Sequence, residues 1–275
     1  MVRAPLDYAE AGALTDLGTV PHAALEGLPH EALDICRCVR RLFLSPLAAA
    51  GLGVEADRLS ARNLRPAGAL AGALLALDPA PLHVPRPPER RVVGTCRHFA
   101  VMSCALLRAR HIPARARCGF ATYFEADRGL DHWITECWHE PDGRWVRIDS
   151  EHLGRPVLAD PEDLPPGAFL TGGEAWSQFR DGRVDARHFG VQGTENWGPA
   201  EIRGNAIRDL AALNKVETLP WDEWGRMEPS YRGETGPDYD QLIDRVAAAC
   251  AAADTADAAA LYALPELQVP LELIG

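Results

Sequence analysis

The segment Val93-Gly94-Thr95-Cys96-Arg97-His98-Phe99-Ala100, with the apolar run that follows it to Leu107, decides the fold. Thr95 is a typical N-cap residue, and nearly every side chain from Phe99 to Leu107 is apolar. A helix that is apolar on all sides is usually buried, so the pattern predicts a central helix from about Cys96 to Arg110. Cys96 would then lie in the first turn of this helix.

Three strand candidates follow the helix, at Ala114 to Phe124, Asp131 to His139 and Arg144 to Ser150. The residues Glu140-Pro141-Asp142-Gly143 are a strong turn signal, so the last two strands are expected to form a hairpin. The remaining periodic segments predict helices at 29–50 with a break at Pro46, 66–77, 173–180, 201–214 and 238–263.

This order of elements predicts the α+β class, with a central helix packed on a small antiparallel sheet and helical extensions on either side. We divide the chain into a helical N-terminal part, 1–92, a core, 93–160, and a helical C-terminal part, 161–275. A chain of 275 residues can hold these parts in one integrated domain, which is the arrangement we expect.

A nucleophile, a base and an acid follow one another along the core. Cys96 opens the helix, His132 lies near the head of a strand, and Asp149 lies near the end of the next strand. A thiol, an imidazole and a carboxylate can act as a nucleophile, its base and the group that orients the base. The N-terminus of a helix stabilises an anion, so we also expect a lowered pKa for the Cys96 thiol.

The hairpin register decides whether the last two of these residues can meet. In one register Trp138 faces Trp145 and Glu136 faces Arg147, so His132 and Asp149 become diagonal neighbours on one face of the sheet. The alternative register has a bulge at the turn glycine and directs these two side chains to opposite faces. Aromatic and opposite-charge pairs are favoured across strands, so we predict the first register.

Composition and charge exclude several classes of function. A net charge of −11 argues against a general nucleic-acid-binding protein and against a partner such as an anionic membrane. No apolar run reaches the roughly 20 residues of a membrane span, and the start of the chain lacks the apolar stretch of a signal peptide. Seven cysteines fit reduced thiols better than a disulfide framework. We therefore expect a cytoplasmic protein.

Other readings of the cysteines and histidines remain open. Cys104, Cys118 and Cys137 lie at apolar positions and are expected in the core, where free cysteines are often found. Cys36 and Cys38 diverge on a helix and are poorly placed to bind a metal. A zinc site could be built from Cys96, Cys137, His132 and His139, but the close Cys-x-x-Cys spacing is missing, and no metal is predicted.

Several polar and aromatic residues near the core have two interpretations. Arg97 and His98 could tune the thiol or simply be solvated residues of the first helical turn. Arg115 and Arg117 could bind a substrate carboxylate bidentately, although an exposed polar strand face is the simpler reading. Three aromatic residues could wall a substrate cleft: Tyr123, Trp197 and Trp224. Three others are expected to pack on the sheet: Trp133, Trp138 and Trp145.

The motifs around these residues resemble the transglutaminase-like superfamily, whose fold is papain-like. The resemblance covers roughly residues 90–152 and rests on four stretches: Gly-Thr-Cys-Arg-His-Phe-Ala, Leu-Leu-Arg-Ala-Arg-His-Ile-Pro-Ala-Arg, Asp-His-Trp-Ile-Thr-Glu-Cys-Trp and Arg-Trp-Val-Arg-Ile-Asp. It implies Cys96 as nucleophile, His132 as base and Asp149 as its partner. His111 stands where the family often has glycine, a position that favours positive φ.

The resemblance implies an enzyme that cleaves or forms an amide bond through a thioester on Cys96, with no metal or organic cofactor. Its partner would be a peptide, protein or small-molecule amide. Hydrolysis is slightly favoured over transfer to an amine; a non-catalytic binding module and a peptide N-glycanase are further alternatives. The N–H of Cys96 is the expected first oxyanion donor. Papain-like relatives often use an upstream Gln or Trp as the second donor; none precedes Cys96, and Asn63 is a weak substitute.

Overall fold

The computed structural model describes residues 7–54, 56–155, 160–251 and 255–274. Residues 1–6, on which the expectation about a signal peptide partly rests, lie outside these ranges. The described helices are α1 (His22–Leu25), α2 (Ala32–Arg40), α3 (Pro46–Gly51), α4 (Ala67–Leu77), α5 (Cys96–Arg108), α6 (Gly172–Arg180), α7 (Pro199–Leu213), α8 (Met227–Tyr231), α9 (Pro237–Ala251) and α10 (Thr255–Tyr262).

The described strands are β1 (Phe43–Leu44), β2 (Val92–Val93), β3 (Ala114–Ala121), β4 (Gly129–His139), β5 (Arg144–Ile148), β6 (Phe169–Thr171) and β7 (Phe189–Gly190). Four short 3₁₀ helices in the same ranges are Ala56–Asn63, Pro88–Arg90, Ala186–His188 and Leu271–Leu273. The fold is α+β, as the order of predicted elements indicated. No helix in the described part of the chain is long and apolar enough to cross a bilayer.

The central helix α5 is buried along its whole length after its first residue. Every side chain from Arg97 to Arg108 is buried, and the helix packs on β3 and β4. The helix ends two residues earlier than the predicted Arg110, and His111 adopts a φ of 57°, the left-handed conformation expected at this exit. The apolar run therefore predicted both the element and its burial.

The main sheet has the order β5-β4-β3-β6, and all these neighbours are antiparallel. β7 pairs in parallel with the first two residues of β4, Gly129 and Leu130. β6 and β7 fall in the region predicted to be helical; they are three and two residues long, too short for an alternating pattern to appear. The predicted helix 238–263 is described as α9 and α10, because residues 252–254 lie outside the described ranges.

The predicted helix 29–50 is divided differently from expectation. α2 ends at Arg40, and β1 then pairs in parallel with β2, directly before α5. Pro46 does not break a helix; it occupies the first turn of α3, with Ser45 as N-cap. Proline fits this position because the first helical N–H has no partner within the helix.

Residues of the main sheet take part in two large apolar clusters. One joins α5 to the N-terminal helices and includes Phe99, Leu106 and Trp133. The other joins the sheet to the C-terminal helices and includes Phe120 and Trp176. Burying each such side chain stabilises the fold by about 1.5–3 kcal/mol. The division of the chain into three parts at residues 92 and 160 remains a prediction, because strands of one sheet contribute to both apolar clusters.

A buried cluster of charges joins β3, β4 and β5 on one face of the sheet. The Glu136 carboxylate accepts hydrogen bonds from Arg115 at 2.6 Å, Arg117 at 3.0 Å and Arg147 at 2.9 Å. Arg117 also makes a bidentate pair with Asp209 on α7, at 2.9 and 2.8 Å. Burial alone would raise the pKa of Glu136, but the three guanidinium groups hold it well below its usual range. Arg115 and Arg117 therefore bind internal carboxylates and do not form an exposed face.

We expect Glu136→Gln to lower the free energy of unfolding by about 3–5 kcal/mol, because it leaves buried guanidinium groups without their counter-charge. Urea denaturation of the variant measures this change. Glu162→Gln is the matched control: Glu162 pairs with Arg37 at 2.7 Å on the exposed surface, where a loss below about 1 kcal/mol is expected. Equal losses in the two variants would contradict the account of the cluster.

Candidate active site

Cys96 is the first residue of α5 and is half-buried, with its thiol facing a cleft. Gly94 lies just before it, where an added Cβ would come within 2.8 Å of the His98 Cβ and 3.2 Å of the Phe43 ring. Only glycine lets the chain approach the helix start this closely. The backbone turn that presents the thiol is therefore built into the Gly-Thr-Cys sequence.

His98 holds the first turn of α5 in place. Its Nδ1 accepts a hydrogen bond from the Thr95 N–H at 3.0 Å, and its Nε2 lies 3.2 Å from the Leu64 carbonyl oxygen. These two contacts fix a neutral ring with the proton on Nε2. Burial, assisted by the charge of Arg97, lowers the pKa of His98 to about 3. His98 is therefore a buried structural residue, not a solvated one.

Arg97 ties the same turn to distant segments. Its guanidinium group is fully buried and donates to the carbonyl oxygens of Glu217 at 3.0 Å and Arg65 at 2.7 Å. A charged donor that satisfies several carbonyl groups at once is a strong anchor. Arg97 thus points away from the cleft and positions Cys96 from behind, which the sequence alone left open.

His132 and Asp149 meet as the predicted register requires. β4 and β5 pair Trp138 with Trp145 and Glu136 with Arg147, which confirms the first register. Asp149 follows β5 directly, and its Oδ2 lies 3.1 Å from the His132 Nε2. That contact leaves the other ring nitrogen, Nδ1, for the thiol.

The Cys96 sulfur lies close to the same imidazole. The Cys96 Sγ, a His132 ring nitrogen and a Glu151 carboxylate oxygen all lie within 4.8 Å of one another. The structure therefore brings the three predicted residues, Cys96, His132 and Asp149, into one chain of contacts. The base thus lies beside the nucleophile, as proton exchange between them requires.

Asp149 accepts an unusually large number of hydrogen bonds. Its Oδ1 accepts from the backbone N–H groups of Glu151 and His152, at 3.1 and 3.2 Å. Its Oδ2 lies 2.9 Å from the His152 Nδ1 and accepts a hydrogen bond from the Tyr123 hydroxyl. With every lone pair engaged and its side chain fully buried, the carboxylate has one fixed position.

The charges of this pair reinforce one another. Burial alone would raise the pKa of Asp149, but the positive charge and the hydrogen bond of His132, with those of His152, hold it well below its usual range. Burial would lower the pKa of His132, but Asp149 raises it well above its ordinary value. His132 therefore holds a proton strongly once it has one, which fits a residue that receives a proton from the thiol and returns it later.

The pKa of the Cys96 thiol departs from the expected lowering. Burial raises the pKa of Cys96 above its ordinary value, although the hydrogen bond and charge of His132 act in the opposite direction. The nearby carboxylates of Asp131 and Glu151 add to the rise. The stabilising effect of the helix N-terminus is thus outweighed by a dry and acidic setting, which the sequence motif did not reveal.

A cleft of about 380 Å³ lies in front of the thiol. Its apolar walls are Leu47, Phe124, Leu130 and Val191, and its polar groups besides the thiol and His132 are Glu125, Asp131, Glu151, His152 and Gln192. Two larger cavities, of about 610 and 660 Å³, lie elsewhere and include neither Cys96 nor His132. The reactive groups, rather than cavity size, therefore identify the site.

The sequence analysis offered Tyr123, Trp197 and Trp224 as walls of the cleft. This interpretation is wrong for the two tryptophans and only partly right for Tyr123. Trp224 is buried in the C-terminal apolar cluster, and Trp197 packs against Gly190, so neither walls the cleft. Tyr123 does reach the site, but as a hydrogen-bond donor to Asp149. The expected sheet packing is confirmed for Trp138 and Trp145, whose ring centroids lie 5.6 Å apart.

The zinc alternative drawn from the sequence is wrong. Cys137 is buried in the N-terminal apolar cluster, and His139 is exposed and pairs with Asp142 at 3.0 Å. In the described residues, two other sets of three donors lie close enough to hold a metal ion: Cys96, His132 and Glu151, and His132, Asp149 and His152. Both sets share His132, so a metal there would occupy the base of the candidate site.

Two residues of the site escaped the sequence reasoning, and one residue that it named is not part of the cleft. His152 follows Asp149 at a spacing of three, which a turn after the strand converts into a hydrogen bond. Glu151 lies in the same turn and lines the cleft. Asn63, the proposed second oxyanion donor, is exposed at the end of a 3₁₀ helix and is not part of the cleft lining within the described residues.

One comparison with known proteins, the one with protein families, matches the part of the chain that holds the site. The family model described as the transglutaminase-like superfamily matches residues 84–150, which contain all three residues of the contact chain. The matched region runs from just before α5 to the residues that follow β5.

One solved structure resembles the chain more loosely. A candidate cysteine protease from Cytophaga hutchinsonii aligns with a TM-score of 0.35 and 16% identity, over 53% of this chain and 41% of that protein. The alignment thus spans less than half of that protein, and the likeness is too low to carry an argument. None of the curated proteins matches the sequence significantly.

The neutral, buried His98 predicts a loss of stability in acid. Its pKa of about 3 lies below the ordinary 6.5, so between these values the unfolded chain binds a proton that the folded chain does not. Stability from this residue is therefore present above pH 6.5 and is lost as pH falls toward 3. Lowering the pH from 7.5 to 5 should cost about 2 kcal/mol through His98.

His98→Gln is the variant that isolates this effect. Glutamine can still accept the hydrogen bond from the Thr95 N–H, as in a capping box, but it does not titrate. We expect the difference in unfolding free energy between pH 7.5 and 5, measured by urea denaturation, to be smaller in the variant by that amount. An unchanged pH dependence would show that His98 is not held neutral.

Proposed function

We propose that the protein is a cysteine-dependent acyl-transfer enzyme that cleaves an amide bond through a thioester on Cys96. The observation that carries the proposal is the continuous contact from the Asp149 carboxylate through His132 to the Cys96 sulfur, beside an accessible cleft. The superfamily match over residues 84–150 supports the same reading.

The first half-reaction forms the acyl-enzyme. Transfer of the Cys96 proton to the His132 Nδ1 gives a thiolate–imidazolium pair, and the sulfur attacks the carbonyl carbon. As the tetrahedral intermediate collapses, the carbon–nitrogen bond breaks and the leaving amine takes the proton from His132. Asp149 keeps the ring oriented throughout, and the N–H of Cys96 at the start of α5 is the first donor to the oxyanion.

The second half-reaction releases the acyl group. A water molecule gives a proton to His132 and attacks the thioester carbon, the sulfur–carbon bond breaks, and the proton returns to Cys96. An amine in place of water would give an amide-forming transferase by the same steps. We favour water because the cleft reaches solvent past the exposed Leu47.

Acylation by p-nitrophenyl acetate tests the nucleophile directly. We expect mass spectrometry to locate the acetyl group on Cys96, and hydroxylamine to release it as expected for a thioester. The variant His132→Asn should form this adduct at least about 100-fold more slowly, because the base is lost. Acetylation that is absent from Cys96, or that is as fast without His132, would contradict the proposal.

Cys38 provides an internal control for simple accessibility. It is half-buried, as Cys96 is, and burial raises its pKa too, but no histidine is described as its partner. With iodoacetamide, Cys96 should therefore react faster than Cys38 in the wild type and lose this advantage in His132→Asn. Equal rates in the wild type would mean that exposure, and not activation, governs both thiols.

A further inference from the structure

One carboxylate beside the thiol has no role in the acyl-transfer steps. Glu151 is only 9% exposed, it lines the cleft, and one of its oxygens lies within 4.8 Å of both the Cys96 sulfur and a nitrogen of His132. The Glu151 backbone N–H donates a hydrogen bond to Asp149, but the Glu151 side chain takes no part in that bond. A carboxylate in this position is costly to bury unless something pairs with it.

Within the ranges that the structure describes, the Glu151 side chain has no hydrogen-bond or ion-pair partner. The other acidic residues of the cleft differ in this respect. Asp131 accepts a hydrogen bond from the Asn205 amide at 2.8 Å, and Glu125 pairs with Arg128 at 3.3 Å and with Gln192 at 2.5 Å. Glu151 is therefore the cleft carboxylate whose charge is left for a ligand.

The arginine residues described on the other side of Glu151 do not pair with its carboxylate. The residue also borders a smaller cavity of about 180 Å³ that carries Arg40, Arg91 and Arg155, yet none of these makes an ion pair with it. Burial keeps the pKa of Glu151 above its usual range despite the charges of His132, His152 and Arg155. The site would thus gain from a cation that arrives through the cleft.

We propose that Glu151 is a specificity-determining residue that binds an ammonium or guanidinium group of the acyl substrate, next to the carbonyl that Cys96 attacks. The inference rests on the proposed function, because it places the cation relative to that nucleophile. Cysteine and carboxylate are close enough that one small substrate can contact both.

Binding of such a cation would also affect the thiol. Glu151 is one of the groups that raise the pKa of Cys96. A positive group between them would offset this field and make transfer of the thiol proton to His132 easier. A cationic substrate would in this way be both positioned and helped to react, whereas an anionic one would be repelled.

Three methanethiosulfonate reagents of similar size test the proposal: the aminoethyl compound, which is cationic, the sulfonatoethyl compound, which is anionic, and the neutral ethyl compound. In each reaction the Cys96 sulfur forms a disulfide bond with the reagent sulfur and methanesulfinate leaves. Rates at Cys96 are divided by rates at Cys38 in the same sample, so that intrinsic differences between reagents cancel.

We expect the cationic reagent to react with Cys96 at least about tenfold faster than the anionic one, and Glu151→Gln to remove most of this preference. Glu125→Gln is the matched control: it makes the same change at a carboxylate that already has partners, and should alter the ratio less than about threefold. An anionic preference in the wild type, or an equal loss of cationic preference in both variants, would overturn the proposal.

The neutral reagent separates this proposal from the proposed function. If Glu151→Gln changes all three rates by one common factor, Glu151 only tunes the thiol or His132, and the specificity role is wrong. If Cys96 reacts rapidly with all three reagents and shows no charge preference, only the specificity role of Glu151 is overturned. A slow thiol whose cationic preference disappears in Glu151→Gln supports the role of Glu151 and counts against acyl transfer.

Discussion

The hydrogen bond between the Asp149 carboxylate and His132 is the interaction on which the site depends. It exists because the β4–β5 register puts both residues on one face of the sheet, and because Asp149 follows directly after the last strand pair. Backbone N–H groups of the following turn, together with Tyr123 and His152, then fix the carboxylate from the other sides. The orientation of the imidazole is therefore a consequence of strand pairing.

The opposite partner, Cys96, is held by a separate set of buried polar contacts. His98 and Arg97 bind carbonyl groups of segments near residues 64–65 and 217, which come from both flanks of the core. The helical flanks thus do more than cover apolar surface, since they determine where α5 begins. The thiol and the imidazole meet only if these two independently anchored halves keep their relative position, and buried anchors of this kind resist small displacements.

The sequence predicted the elements with strong patterns and missed those without them. The apolar run of α5 and the Trp138–Trp145 and Glu136–Arg147 pairs gave the central helix and the hairpin register. β6 and β7 are too short to show a period. The partners of Arg97 and Arg117 lie far away in the chain, so their burial could not be read locally. The raised pKa of the Cys96 thiol depends on burial and on Glu151, a residue that only the folded turn brings to the cleft.

Nitrogen-15 NMR of histidine-labelled protein, followed as a function of pH, tests the central claim most directly. We predict that the His132 ring remains an imidazolium well above pH 6.5, and that Asp149→Asn shifts its titration to lower pH because the counter-charge is lost. A His132 resonance that titrates at or below pH 6.5 in the wild type, or one that Asp149→Asn leaves unchanged, would contradict the claim that this carboxylate sets the charge and orientation of the base.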